Sequence, residues 1–476
     1  MLVAATTILL ATTAAPPTPV VRQVLPSGIH LIVSPRPNAR LVAIEIRVRG
    51  AGSAQESPEE NGLAHAVEHL LFKGTESQGP GSFDARFENS GGEAFAQTLR
   101  DGTAFRVCVF PEQWKGALTT WSELLQKPAL READWATERT VISREMSVAQ
   151  SETTKLGLQT LATVAYPPGD PYRQPLMGSV ANVERFTAGD LRAFHARRYR
   201  PENLTIAVSG PVTTEEVGLV VSGLWSVVSA VTGEARPVVT PPTPAGTPPL
   251  TTDHSPLTTD LPSRAPLFTD DEQTARKLAT VYLGFPAPRL QTAPGDAAAC
   301  DVLAVMLGRG SGGILGERLT GDKTLDAISV QAEYQPQTDR ALFVLHATGA
   351  KRSIGRIEDV IVEELANLKA RCATGNDAGL DDLLEVAKSG AIGDERSQRE
   401  TVEGEAKYLA YLDMLNAPDG YADKYRERVA AVTVADLARL LDSYVVPAKR
   451  SVAVIGLAAI GGAASAPAAP DAEAVQ

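Results

Sequence analysis

The residues in this chain best suited to chemistry are His65, Glu68 and His69, in the run His65-Ala66-Val67-Glu68-His69. On a helix, positions four apart share a face and the position three along lies beside them. This spacing brings two imidazoles to one point with a carboxylate next to them. Imidazole nitrogen is a good ligand for zinc, and a nearby carboxylate can take a proton from water on such a metal. A catalytic zinc needs three protein ligands and one open position, so a third must come from another element. Glu145 is the best candidate. It sits in a helical run that carries a second carboxylate, Glu138, seven residues earlier. Seven residues are two turns, so one carboxylate can bind the metal while the other steadies a ligand.

The elements that must hold these groups are visible in the same stretch. Leu63, Val67, Leu70 and Leu71 are apolar around the polar His65-Glu68-His69 face, which predicts a helix over 62–72. Alternating β-branched residues predict strands over 41–48 and 104–110, and helices are expected over 114–125 and 132–150. Farther along, Thr187, Asp190, Pro201 and Gly210 recur as Thr433, Asp436, Pro447 and Gly456. One common offset for all four points to a duplicated helix–turn–strand unit. The expected fold class is α+β: two homologous domains, each a mainly antiparallel β-sheet with helices packed on one face, forming a clamshell.

The bulk numbers agree with two domains. At 476 residues the chain exceeds one ordinary core. A net charge of −12 argues against a general nucleic-acid binder. Cys108, Cys300 and Cys372 are too few and too far apart for a disulfide framework or a zinc knuckle, and read as core packing or incidental surface thiols. The expected boundaries are an apolar, signal-like N-terminus over 1–18, a catalytic domain over 19–231 and a Pro/Thr-rich linker over 232–270. A second, non-catalytic domain over 271–460 and a disordered tail over 461–476 complete the chain. The apolar start favours export, periplasmic in a bacterium, with a cytoplasmic protein as the alternative. Gly308 to Gly313 lacks the Gly-Lys-Ser/Thr of a phosphate loop, and His195, in a basic run, reads as solvated surface.

The sequence resembles the pitrilysin or insulinase-like zinc peptidases, which include the mitochondrial processing peptidases. The likeness rests on the inverted order His-x-x-Glu-His, on 75 residues between His69 and Glu145, and on Leu71-Phe72-Lys73-Gly74-Thr75. Pro171 to Gly178, Tyr199 to Leu204, Val281 to Phe285 and Leu307 to Ser311 add to it. It implies that His65, His69 and Glu145 bind one Zn2+ and that Glu68 is the general base, with Glu138 accessory. It also implies that a peptide lies as an added strand near Gly91, Gly92, Phe95 and Ala96, with Phe95 where the family has asparagine.

One departure bears on partners. Family members bring an arginine and a tyrosine from the second domain to grip substrate and stabilise the oxyanion. Here Arg318 is present, while Ala327 stands where the tyrosine is expected. Two explanations are open: a slow or narrow peptidase that works alone, or a heterodimer with a homologous subunit that lacks the zinc motif and supplies the pair, with a homodimer as the other assembly. The alternative is a weakly catalytic or non-catalytic peptide-binding or assembly subunit.

Overall fold

The computed structural model describes residues 19–149, 152–226, 278–308, 312–374 and 377–456. The apolar N-terminus, the Pro/Thr-rich linker and the C-terminal tail lie outside the described residues.

Ten strands form two sheets among the described residues. The first contains β1 (Val21–Val24), β2 (His30–Pro35), β3 (Val42–Arg49), β4 (Phe95–Thr98), β5 (Gly102–Val109) and β6 (Leu204–Gly210), in the order β1-β2-β6-β3-β5-β4. Only the β2–β6 pair is parallel. The second contains β7 (Leu278–Pro286), β8 (Ala327–Pro336), β9 (Ala341–Ala350) and β10 (Ser451–Gly456), in the order β10-β7-β9-β8 and antiparallel throughout. The run β6-β3-β5-β4 is repeated as β10-β7-β9-β8, so the duplication read from the offset of 246 is a duplication of topology.

The first half carries α1 (Leu63–Leu71), α2 (Ser82–Asn89), α3 (Trp114–Gln126), α4 (Glu132–Ala149), α5 (Thr153–Ala165), α6 (Val180–Arg185), α7 (Ala188–Arg198) and α8 (Thr214–Leu224). The second carries α9 (Pro294–Gly308), α10 (Ile314–Gly321), α11 (Ile354–Thr374), α12 (Ala378–Gln398), α13 (Val402–Met414), α14 (Tyr425–Ala430) and α15 (Val434–Ser443). The repeated Thr and Asp are capping boxes. Thr187 and Thr433 each accept from the third backbone N–H of α7 and α15, and Asp190 and Asp436 return the bond.

Each sheet has its own helices on one face, as expected, and its other face is covered as well. On β3, Val42, Ile44 and Ile46 point into the first core, whereas Ala43 packs with Ala207 and Ile32 against the second-half core. The covering element is α13, which presents Ala406, Leu409 and Ala410. Reciprocally, α5 lies on β7 and β10, where Leu161 and Ala162 meet Tyr282, Val344 and Ile455. The approach is close: a Cβ on Gly157 would come within 2.2 Å of the Tyr282 ring. Strand β3 is therefore buried on both faces, although its polar residues alternate as in a half-exposed strand. Glu45 and Arg47 lie under α13 as an ion pair at 2.9 Å, with the Arg47 guanidinium 5.3 Å from the Tyr411 ring centre.

Polar contacts complete the join. Glu405 of α13 accepts from Ser34 at 3.2 Å and pairs with Arg36 and Arg399. Asp413 binds His30 at 3.0 Å and also accepts from Thr205. Arg340 meets Asp170 at 2.9 Å. His195 is not solvated surface. It is half-buried, bonded through Nε2 to the Leu125 carbonyl at 2.9 Å and stacked on Tyr199. Cys300 and Cys372 are buried and unpaired. Among the described residues no helix is long and apolar enough to cross a membrane.

Candidate metal centre

Helix α1 starts at Gly62, whose φ of +114° is left-handed, and a Cβ there would lie 3.1 Å from the Met177 carbonyl oxygen. Glycine offers no side-chain cap, so Glu56 supplies one from six residues upstream. Its two oxygens accept from the backbone N–H groups of Gly62 at 2.9 Å and Ala64 at 2.6 Å, and from Asn61 Nδ2 at 3.0 Å. Leu63, Val67, Leu70 and Leu71 are fully buried, each contributing about 1.5–3 kcal/mol. That burial fixes the rotation of α1 and turns His65, Glu68 and His69 toward α4 and β4. Helix α4 is fixed similarly by buried Trp135, Ile142 and Met146, and Trp135 Nε1 donates to the Phe186 carbonyl at 2.7 Å.

The side chains converge. One ligand atom from each of His65, His69 and Glu145 lies within 4.8 Å of the others. Glu145 Oε2 is 3.7 Å from His65 Nε2 and 3.2 Å from His69 Nε2. Glu138 Oε2 takes the other ring nitrogen of His69, Nδ1, at 3.1 Å, and its Oε1 meets Lys73 Nζ at 2.8 Å. This second contact holds the His69 ring so that Nε2 faces the ligand set. Two imidazoles and one carboxylate converging from two helices suit zinc in donor type and number. The site opens on the Glu145 side, whose side chain is 45% exposed against 8% for His65.

Electrostatics follow from burial and neighbours. Burial holds the His65 pKa down to about 4, and the adjacent His69 adds to this, which keeps the ring in the neutral form that binds a metal. Burial acts the same way on His69, but its bonds to Glu145 and Glu138 outweigh it and leave the pKa raised. The bond from His69 holds Glu145 below the usual carboxylate range. Burial would raise Glu138, yet Lys73 and His69 bring it down. Glu68 is pushed up by burial against the pull of Thr98, whose hydroxyl donates to Oε2 at 2.5 Å. A carboxyl raised in this way is a stronger base.

β4 ends the first sheet, and its outer edge is unpaired among the described strands. Gly91 and Gly92 lead into it because nothing larger fits: Cβ atoms there would meet the Phe110 ring at 2.5 Å and the Cys108 carbonyl oxygen at 2.4 Å. Phe95 is exposed, with the Arg106 guanidinium 4.5 Å from its ring centre, while Ala96 packs inward. Arg318 is elsewhere. It lies on α10, paired with Glu364 at 3.3 Å and Asp322 at 3.8 Å, and contacts none of the ligand set among the described residues. Ala327 opens β8.

Three groups at the centre were missed from sequence. Lys73 follows His69 by one helical turn, and that spacing was the signal for it. Thr98 carried none, since its contact with Glu68 depends on how β4 meets α1. Glu56 could have been sought from the lack of a capping side chain at Gly62.

Two docked repeats, one with converged zinc-type ligands, define a metallopeptidase-like architecture. The family model described as insulinase, peptidase family M16, matches residues 31–179, and that of the M16 inactive domain matches residues 185–373. The chain belongs to this family. It is 31% identical over 193 residues to a probable mitochondrial-processing peptidase subunit beta of Arabidopsis thaliana, covering 40% of this chain and 36% of that one. It is 28% identical over 193 residues to a zinc protease of Rickettsia bellii, covering 40% of this chain and 46% of that protein. The chain thus spans less than half the length of these curated relatives. In fold it is similar to a protease from Helicobacter pylori, with a TM-score of 0.78 at 22% identity over 92% of this chain and 99% of that one.

Proposed function

We propose that this chain is a zinc-dependent endopeptidase acting on peptides or unfolded segments, and that it works as one subunit of a two-chain enzyme. The observation that carries the reading is the convergence of His65, His69 and Glu145, with Glu138 orienting His69 and Glu68 beside the set. Zinc, when bound there, supplies a Lewis acid for the scissile carbonyl. Glu68 takes the proton of the attacking water and returns it to the departing amine. The edge of β4, unpaired among the described strands, receives the peptide as an added strand, with Phe95 and Arg106 beside it.

The case for a partner rests on Arg318 and Ala327. Arg318 is occupied by Glu364, and alanine offers no hydroxyl to an oxyanion. The two halves of one chain are clasped by α5 and α13, so the opposing wall of a closed chamber comes from a second chain. The partner is a homologous subunit without the zinc motif, and a homodimer is the rival assembly. Export to the periplasm is part of the proposal, on the apolar run at 1–11.

The test is hydrolysis of quenched peptides by the purified chain, with and without a homologous subunit encoded nearby, alongside zinc analysis. One zinc per chain with chelator-sensitive cleavage, stimulated by the partner, is expected. Bound zinc without cleavage in either state would favour the peptide-binding or assembly role, for which the missing tyrosine is the specific observation.

A further inference from the structure

At the place in the second half that answers to the metal centre there is a cavity of about 510 Å³. The strand registers make the correspondence. Arg47 on β3 faces Thr205 and Ala104, and Ala104 faces Gln97 on β4. In the second half Gly284 on β7 faces Ser451 and Val344, and Val344 faces Glu333 on β8. Gln97 thus answers to Glu333, a shift of 236 places. The same shift carries His65, Glu68 and His69 to Asp301, Ala304 and Val305 of α9, and all three line the cavity. Helix α12 walls it as α4 walls the metal centre.

The lining has lost the imidazoles and kept carboxylates. Asp301 bonds to the Tyr425 hydroxyl at 3.0 Å, and Glu333 to Gln335 Nε2 at 2.7 Å. Neither has a cationic partner among the described residues, whereas Glu395 is matched by Arg399 at 2.6 Å. Burial pushes the Asp301 pKa up to about 7 and raises that of Glu333. Tyrosines supply much of the remaining wall. Tyr334 and Tyr411 donate their hydroxyls to the carbonyls of Pro288 and Pro336 at 2.6 and 2.9 Å, which leaves ring carbon to face the space.

Half-buried carboxylates with no cationic partner among the described residues are unfavourable when ionised, and a cationic guest relieves that. A metal ion does not suit the geometry. Among the described residues only the His65, His69 and Glu145 group converges to ligand distance. The volume is that of a small-molecule site, and tyrosine rings attract organic cations through their faces. We propose that this cavity binds an organic cation, an alkylammonium or alkylguanidinium group, with Asp301 and Glu333 as charge partners and the tyrosine rings as walls. The inference stands independently of zinc or hydrolysis at the first site.

Calorimetric titration of the full chain with 1,5-diaminopentane and with agmatine tests it, with 1,5-pentanediol as the uncharged control. Both amines bind, the diol does not, and prior chelation of metal changes nothing. Asp301→Asn weakens binding on the order of tenfold or more. Ala304→Leu, which fills the space without altering charge, does the same, and unchanged melting temperatures confirm that both variants fold. A hexapeptide containing arginine, compared with its citrulline analogue, identifies the source of the cation. Competition by the arginine peptide alone assigns the site to a basic peptide side chain; competition by neither assigns it to a free amine. Absence of amine binding at millimolar concentration, or binding insensitive to both substitutions, overturns the proposal.

Discussion

The first half brings α1, β4 and α4 together around two imidazoles and a carboxylate within 4.8 Å of one another. The second half brings α9, β8 and α12 together around a cavity of about 510 Å³. The strand order is shared, so the backbone does not decide between these outcomes. The side chains differ: α1 carries His65, Glu68 and His69, with Glu145 facing them from α4, where α9 carries Asp301, Ala304 and Val305. The repeat is a frame that sets three walls, and their side chains offer a converged ligand set in one half and a cavity in the other.

Giving the first half a residue of the second is the most drastic way to break the contrast. Glu68→Ala copies Ala304 and removes the proposed base, and peptide hydrolysis should fall about a thousandfold. The melting temperature should not fall with it, because burial already disfavours the Glu68 charge and offsets the loss of the Thr98 bond. A smaller effect is expected where the halves meet. Glu405→Ala leaves Arg399 with Glu395 and the Ala422 carbonyl, and Arg36 and Ser34 without the Glu405 carboxylate, and should cost about 3 kcal/mol in denaturant unfolding. A loss under about 1 kcal/mol would mean that α13 is held by its apolar face alone.

Glu138→Gln sharpens the comparison at the metal side. It weakens the hold on His69 and Lys73, and zinc affinity measured by chelator competition should drop about 10- to 100-fold. The smallest effect concerns acid. Burial raises Asp413, but His30, Thr205 and Arg49 outweigh it and depress its pKa. A depressed carboxyl stabilises the fold above its unfolded pKa, and that contribution is lost as pH falls through the lower folded value. Stability should therefore fall off below about pH 4. Asp413→Asn should flatten this acid limb, at about 1–2 kcal/mol near neutrality. An unaltered acid limb would show that other carboxylates govern it.

What the sequence could and could not disclose divides along the range of the interactions. His65 and His69 needed only helix periodicity to share a face, and Glu138 and Glu145 likewise. The strands at 204–210 and 451–456 followed from a repeated cap, proline and glycine. The clasp by α5 and α13 was not legible, because a helix covering a distant sheet leaves no local period, and Glu45 and Arg47 look like solvent-facing residues until α13 lies over them. His195 was misread for the same reason: the Leu125 carbonyl that binds it is seventy positions away. Thr98 and the tyrosine-lined cavity arise only once strand and helix meet.

The crossing of α5 and α13 has a consequence for the chain as a polymer. Separated from its sister, each repeat would expose the sheet face that the other's helix now covers. A protease that cut between Trp225 and Leu278 would yield two fragments still clasped together, visible as two bands on a denaturing gel and one species in solution. Continuity of the peptide is dispensable at that point because the helices already act as the strap.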